Sequence, residues 1–227
     1  RGGSRGGALR AAAASGGDAL ALRDTPSQRR AHQRMAAILE AAKQLFARER
    51  FNGVSMDQIA AEAGVSKLTV YSHFGDKDAL FAAAVQAKCA EMLPDALFEI
   101  ELTGSVRDQL KAIGQAFFAL ITSEEAISTH RMMMVPGNID DRLKQTFWEA
   151  GPQRTHDAFA ALLQALVAKG ELDAPDVAIA SVQFFTLIKG EVHARLTCGL
   201  CSQPGPLDRR RHIDATVDMF LRAYGHR

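Results

Sequence analysis

The chain has 227 residues, 47% of them hydrophobic, enough to bury one large core or two small ones. Three cysteines are too few for a disulfide framework and fit a reducing cytoplasm; no apolar run approaches the ~20 residues of a membrane span, so a soluble cytoplasmic protein is expected. The net charge of +1 is unevenly spread: residues 1–78 carry 12 Lys/Arg against 8 Asp/Glu, residues 79–227 carry 15 against 18, so an anionic partner is expected at the first third, with chance segregation of solvated charge as the alternative.

Ala, Leu, Arg, Glu and Gln dominate, β-branched alternation is rare, and an all-α fold is expected. Residues 1–24, rich in Gly, Ala, Ser and Arg, read as a flexible arm. Thr25, Pro26 and Gln28 then form a capping-box start, and Met35, Ile38, Ala42, Leu45 and Phe46 recur on one helical face. Asn52-Gly53 is a turn signal, with Gly53 free to take positive φ.

Two very short helices follow. Ser55 caps the first, Gln58 completes its capping box, Val54 and Ile59 occupy staple positions, and Gly64 closes it. Ser66 caps the second, with Val65 and Val70 at staple positions. Helix, three-residue turn containing glycine, helix is the helix-turn-helix arrangement, whose second helix lies in a DNA major groove. That accounts for the polarity of "KLTVYSHF": Val70 and Phe74 can hold the helix to its neighbours, leaving Lys67, Leu68, Thr69, Ser72 and His73 on the outer surface.

Asp76 caps a further helix through Leu80, Phe81, Val85 and Met92 to Pro94, long enough to tie the reading head to the rest. Helical patterns then run over Ser105–Ser123, Glu124–Val135, Ile139–Ala150 (broken at Gly151-Pro152), Gln153–Lys169, Pro175–Cys198 and Pro206–Tyr224. The expected organisation is an arm (1–24), a helix-turn-helix DNA-binding domain (25–78) and a ligand-binding and dimerisation domain (79–227).

The stretch "MDQIAAEAGVSKLTVYSHFGDKDALFAAAV" resembles the N-terminal domain of the TetR/AcrR family of transcriptional regulators over roughly residues 33–85. "DDRLKQTFWEAGPQRTHDAFAALLQALVAKGEL" is similar to the AefR-like C-terminal subgroup. The resemblance implies a three-helix DNA-binding head, a helical ligand-binding body, a homodimer built on the last two helices, and a ligand that changes the spacing of the heads. It carries over Lys67 and Leu68 at the start of the reading helix, Thr69, Tyr71 and His73 along it, and Lys77 and Ser55 as phosphate contacts. Leu68 departs from the small residue or glycine common in the family, and either a thymine methyl or packing inside the protein would suit it.

Helix N-termini present amides with a favourable dipole to phosphate, which suits Ser55 and Ser66, while Tyr71, His73 and Lys77 offer donors or charge. Packing against the first helix is the competing role for Tyr71 and His73. Lys67 can bond guanine O6 and N7, or remain a solvated lysine. Arg23, Arg29, Arg30 and Arg34 are candidates for added phosphate or minor-groove contacts.

In the body an apolar pocket is expected, walled by Phe117, Phe118, Met133, Phe147, Trp148 and Phe184, with polar contacts from Gln115, His130 or Arg131. Ordinary core is the competing role for most of these. Neither a cofactor nor a metal site is expected: the lone CxxC, Cys198 to Cys201, lacks the strand-helix context of a redox motif and a second ligand pair for zinc. No catalytic constellation stands out. Two classes of function remain, a ligand-released repressor on a palindromic operator, and a Cys198/Cys201 redox sensor or an enzyme, and the doubly capped helix-turn-helix favours the first.

Overall fold

The computed structural model describes residues 25–99, 104–135, 137, 139–203 and 206–226; the expected arm over residues 1–24 lies outside them. Helix α1 (Pro26–Gly53) opens with the capping box in place: Gln28 N–H donates to Thr25 Oγ1 at 3.2 Å, and Thr25 N–H to Gln28 Oε1 at 2.8 Å. It buries Ile38, Ala42, Leu45 and Phe46, whereas Met35 stays 40% exposed, so the buried stripe starts one turn later than the spacing implied. The expected glycine turn is corrected too. Gly53 is not among the residues of positive φ; the backbone breaks instead at Arg50, φ 61°. That break swings Phe51 inward, where its ring stands 5.8 Å from Phe46 and 5.3 Å from Phe81. These two aromatic contacts offset the strain of a non-glycine residue in the left-handed region.

Helices α2 (Met56–Glu62) and α3 (Lys67–Phe74) follow, then α4 (Lys77–Met92), on which Asp76 Oδ1 accepts from Ala79 N–H at 2.8 Å. After a short 3-10 turn at Asp95–Phe98 come α5 (Val106–Ile121), α6 (Glu124–Met134) and α7 (Asp141–Trp148). The break expected at Gly151-Pro152 is instead a π turn, Glu149–Gln153, that runs straight into α8 (Arg154–Ala168). The wider turn tolerates the proline, which has no N–H to give, and the Thr155 hydroxyl takes up the Gly151 carbonyl at 3.1 Å. Helix α9 (Val177–Thr197), capped by Asp176, is kinked at Gly190, and α10 (Pro206–Tyr224) closes the fold.

Two apolar cores result. One gathers Leu110, Ile113 and Phe117 from α5, Phe159, Leu162 and Leu163 from α8, Phe184, Phe185 and Ile188 from α9, and Ile213, Val217 and Phe220 from α10. The other joins Ile38, Leu45, Phe46, Ile59 and Val70 of the first three helices to Leu80, Phe81 and Ala84 of α4, so it reaches past residue 78. It also takes in Met132 of α6, Ile139 just before α7, and Leu143 of α7, which packs the head directly onto the body.

Candidate functional site

The reading helix is held by very little. Val70 is its single fully buried residue, and Phe74 is partly buried against the same core. Its N-terminus is fixed by Ser66, whose Oγ accepts from Thr69 N–H at 3.1 Å and lies 2.8 Å from Thr69 Oγ1. Gly64, φ 66°, makes the turn before it, and Ser55 and Gln58 close the capping box of α2. Ser55, Ser66, Lys67, Leu68, Tyr71, Ser72 and His73 are exposed and Thr69 is partly so. Leu68 is 78% exposed, which removes packing within the chain as its role. Tyr71 at 42% and His73 likewise are not absorbed by α1.

Two lysines differ from each other. Lys67 Nζ lies 2.9 Å from Asp57 Oδ2, an exposed pair that holds the ammonium in place, and this hydrogen bond raises the lysine pKa. Exposed pairs of this kind are weak, so the lysine can exchange Asp57 for another acceptor. Lys77 is turned inward, contrary to its expected place on phosphate. Its Nζ donates to Phe51 O at 3.0 Å and Val54 O at 3.1 Å and sits 4.2 Å from the Phe51 ring centroid. Among the described residues the Phe51 carbonyl otherwise accepts only a long bond from Val54 N–H at 3.4 Å, and this ammonium completes it while also serving Val54 O.

A cavity of about 280 Å³ lies beneath the head. Phe46 and Ala47 of α1, Phe81, Val85 and Cys89 of α4, Phe117 and Ile121 of α5, Thr129 and His130 of α6, Phe147 of α7, and Pro152, Thr155 and His156 around the π turn line it. Of the expected wall residues it brings together Phe117, His130 and Phe147. The others are corrected. Phe118 and Phe184 are completely buried in the body core, Gln115 is exposed, Met133 packs against the head core, and Trp148 is 45% exposed with its Nε1 donating to Gln153 Oε1 at 3.0 Å. Arg131 donates to the Thr197 and Leu196 carbonyls at the end of α9 and does not line the cavity. Helical periodicity marks apolar faces without saying which face meets a void, hence these misses.

Charge in the cavity is segregated. On its solvent side Lys43 pairs with Glu40 at 2.8 Å and Glu91 at 3.0 Å, and Lys88 stands 3.8 Å from Glu125. Lys189 of α9 also lines it, and burial lowers that ammonium's pKa. His130 Nδ1 and His193 Nε2 are 3.4 Å apart; burial, then His193 and Lys189, push the His130 pKa down to about 4. Burial and Lys189 also lower His156 and His193. Lys189 was missed in the sequence, although a lone lysine in "FFTLIKGEV" is a signal. A smaller cavity beside Trp148 shares Lys189 and His156 with the first. Cys198 and Cys201 are free thiols, the first exposed and the second partly buried. Among the described residues no helix is long and apolar enough to cross a membrane, and no metal-binding cluster of His, Cys, Asp or Glu is present.

Comparison with known proteins agrees with this geometry. Residues 38–84 match the family model described as bacterial regulatory proteins, tetR family, and residues 108–226 that described as AefR-like transcriptional repressor, C-terminal domain. The HTH-type transcriptional activator FasR of Mycolicibacterium smegmatis is 33% identical over 89 residues, 39% of this chain and 41% of that one. The chain thus spans less than half the length of this curated relative. A solved structure from Mesorhizobium loti, assigned to the TetR family of transcriptional regulators, superposes with a TM-score of 0.72 at 25% identity, covering 86% of this chain and 98% of that one. The flavonoid-responsive regulator FrrA gives a TM-score of 0.67 at 28% identity, covering 86% and 99%. With a reading head and a helical body both matched by family models, the chain belongs to the TetR family of DNA-binding transcriptional regulators and not to a family of enzymes.

Proposed function

We propose that the protein is a homodimeric repressor that leaves a palindromic operator when a small apolar or amphipathic molecule enters the cavity. One observation carries the reading: the same helices wall the cavity and hold the head. Helix α1 lends Phe46 and Ala47 to the cavity while Ile38, Leu45 and Phe46 build the head core, and α4 does both with Phe81 and Ala84. A molecule that favours one arrangement of these helices shifts the head only by its differential affinity for the two arrangements, typically ~1–3 kcal/mol.

Ser55, Ser66, Tyr71 and His73 would contact phosphate, with Thr69 and Ser72 beside them, and Lys67 and Leu68 would read bases. An exposed leucine suits a thymine methyl, and a lysine suits guanine O6 and N7. Residues 25–78 would form the DNA-binding unit and 79–227 the effector and dimer unit, with α4 shared between them. The outer faces of α9 and α10 support dimerisation: Ile179, Val182, Leu187 and Met219 are exposed apolar side chains on two adjacent helices. A two-fold pair of heads reads half-sites about 34–36 Å apart or a multiple of that.

Selection from random DNA, followed by sedimentation of the free protein, tests this reading. Enrichment of an inverted repeat and a dimer at micromolar concentration are the expected results. A monomer, or binding without sequence preference, would overturn it.

A further inference from the structure

The proposed effector cavity holds one positive charge that no carboxylate among the described residues answers. Its three carboxylates, Glu40, Glu91 and Glu125, lie on the solvent side and each already has a lysine, Lys43 or Lys88. Lys189 lines both this cavity and the smaller one beside it, is partly buried, and has no carboxylate partner among the described residues. Asp157, the one acid lining the second cavity, accepts instead from Gln153 Nε2 at 2.8 Å. A partly buried cation without a counter-ion carries a desolvation cost that an anion brought to it offsets in part.

The surroundings of Lys189 do not supply that anion. His130, His156 and His193 are held neutral near pH 7, chiefly by burial and also by the lysine itself. The rest of the wall is apolar, including Val85, Phe117, Ile121 and Phe147. At about 280 Å³, the space suits a compact apolar body carrying one acid group.

We propose that the effector is an amphipathic organic acid whose anionic group pairs with Lys189 while its apolar body lies along Phe117 and Val85. This rests on the reading of the cavity as the effector site. A neutral molecule of the same shape would cover the ammonium and leave it unpaired, so the site discriminates by charge as well as by fit.

Calorimetric titration of the full chain at pH 7.5 with two matched pairs tests this: octanoate against octanamide, and 4-phenylbutanoate against 4-phenylbutanamide. In at least one pair the acid is expected to bind about tenfold or more tightly than its amide. Lys189→Met should bring that ratio close to one, and Lys189→Arg should retain most of it. The wild-type ratio is decisive even if a variant fails to fold. Equal affinity within both pairs, no binding by any of the four at millimolar concentration, or an unchanged ratio in folded Lys189→Met would overturn the assignment. Operator release by an uncharged molecule, equal in wild type and Lys189→Met, would also overturn it while leaving ligand-controlled regulation standing. A chain that separated acid from amide but bound no inverted repeat would do the reverse.

Discussion

The Phe51 backbone N–H donates to the Met132 sulfur at 3.4 Å, joining the broken end of α1 to the last turn of α6. Two residues before Met132 on the same helix, His130 lines the cavity. The contact therefore sits on a short covalent path from cavity wall to reading head. It adds a second route to the one through α4.

Met132→Leu keeps the apolar volume but removes the acceptor, leaving a buried N–H without this partner. An unsatisfied buried donor costs about 1–3 kcal/mol, and a volume-conserving swap adds little. The variant should unfold at lower urea, and the Phe51 amide should exchange with deuterium faster than in wild type. Unchanged exchange at Phe51 would show that the sulfur does not hold this end of α1.

Lys67 and Lys77 should separate cleanly. Lys67→Ala should weaken operator binding by about 1–3 kcal/mol and relax preference at one base pair per half-site, with no loss of stability, since its Asp57 partner is exposed. Lys77→Met should lower stability by about 1–3 kcal/mol, because the Val54 carbonyl loses its lysine donor and the Phe51 carbonyl is left with the 3.4 Å bond from Val54 N–H. Urea titration and binding to the selected operator, measured on both variants, check the contrast. A fully stable Lys77→Met that bound DNA weakly would return this lysine to the phosphate backbone.

Acid should loosen the body through His130. Its folded pKa of about 4 lies below the ordinary 6.5, so the unfolded chain binds more protons between these values. Stability is therefore highest above pH 6.5 and falls as pH drops toward 4; His156 and His193, also lowered, act in the same direction. Discounting for partial exposure, His130 accounts for about 2 kcal/mol of that fall. The facing groups are His193, 3.4 Å away, the nearby Lys189 ammonium, and Phe147, whose ring stands 5.8 Å off. His130→Phe should flatten the stability profile between pH 6.5 and 4, read by urea midpoints at half-unit steps.

Much of the head was legible because local chemistry decides it. Thr25, Ser55, Ser66 and Asp76 each cap the helix that the sequence assigned to them, since a cap depends on the next three residues alone. The break at Arg50 was not legible. It depends on Phe46, Phe81 and Met132, the last of them 81 residues from Phe51, and overrides the local preference for Asn52-Gly53. The cavity was half legible for a related reason. Phe117 and Phe118 look alike in sequence, yet only the first turns toward the void, because helix rotation is set by packing against α9 and α10.

The exposed face of α9 should be the dimer seam. Ile179 and Val182, three apart, are 53% and 52% exposed on a helix whose other face is buried in the body core. Glutamate at either position would place an unpaired charge in a desolvated interface; Ile179 lies clear of both cavities, whereas Val182 also lines the smaller one. Ile179→Glu and Val182→Glu should therefore sediment as folded monomers and bind the full inverted repeat far more weakly than wild type. Dimers of both variants would move the interface elsewhere.

The kink in α9 rests on Gly190, which adopts φ 52° and ψ −165°, a conformation reserved almost wholly for glycine. A Cβ there would lie 2.8 Å from His212 Cε1. That imidazole is placed by its own contact, with Nε2 3.0 Å from the Ile188 carbonyl. Gly190→Ala thus brings backbone strain of ~1–3 kcal/mol and pushes the ring off its partner, at a further ~1 kcal/mol. A loss of about 3 kcal/mol in urea unfolding is expected, against about 1–2 kcal/mol for His212→Ala, which keeps the kink and removes the contact together with the ring's packing against Phe118. The kink follows Lys189 directly, so straightening α9 would also re-aim that side chain. Gly190→Ala should for this reason blunt the acid-over-amide preference in the cavity, whereas His212→Ala should leave it in place. If Gly190→Ala were as stable as wild type, the bend would not be a requirement of the fold, and α9 could run straight past Lys189.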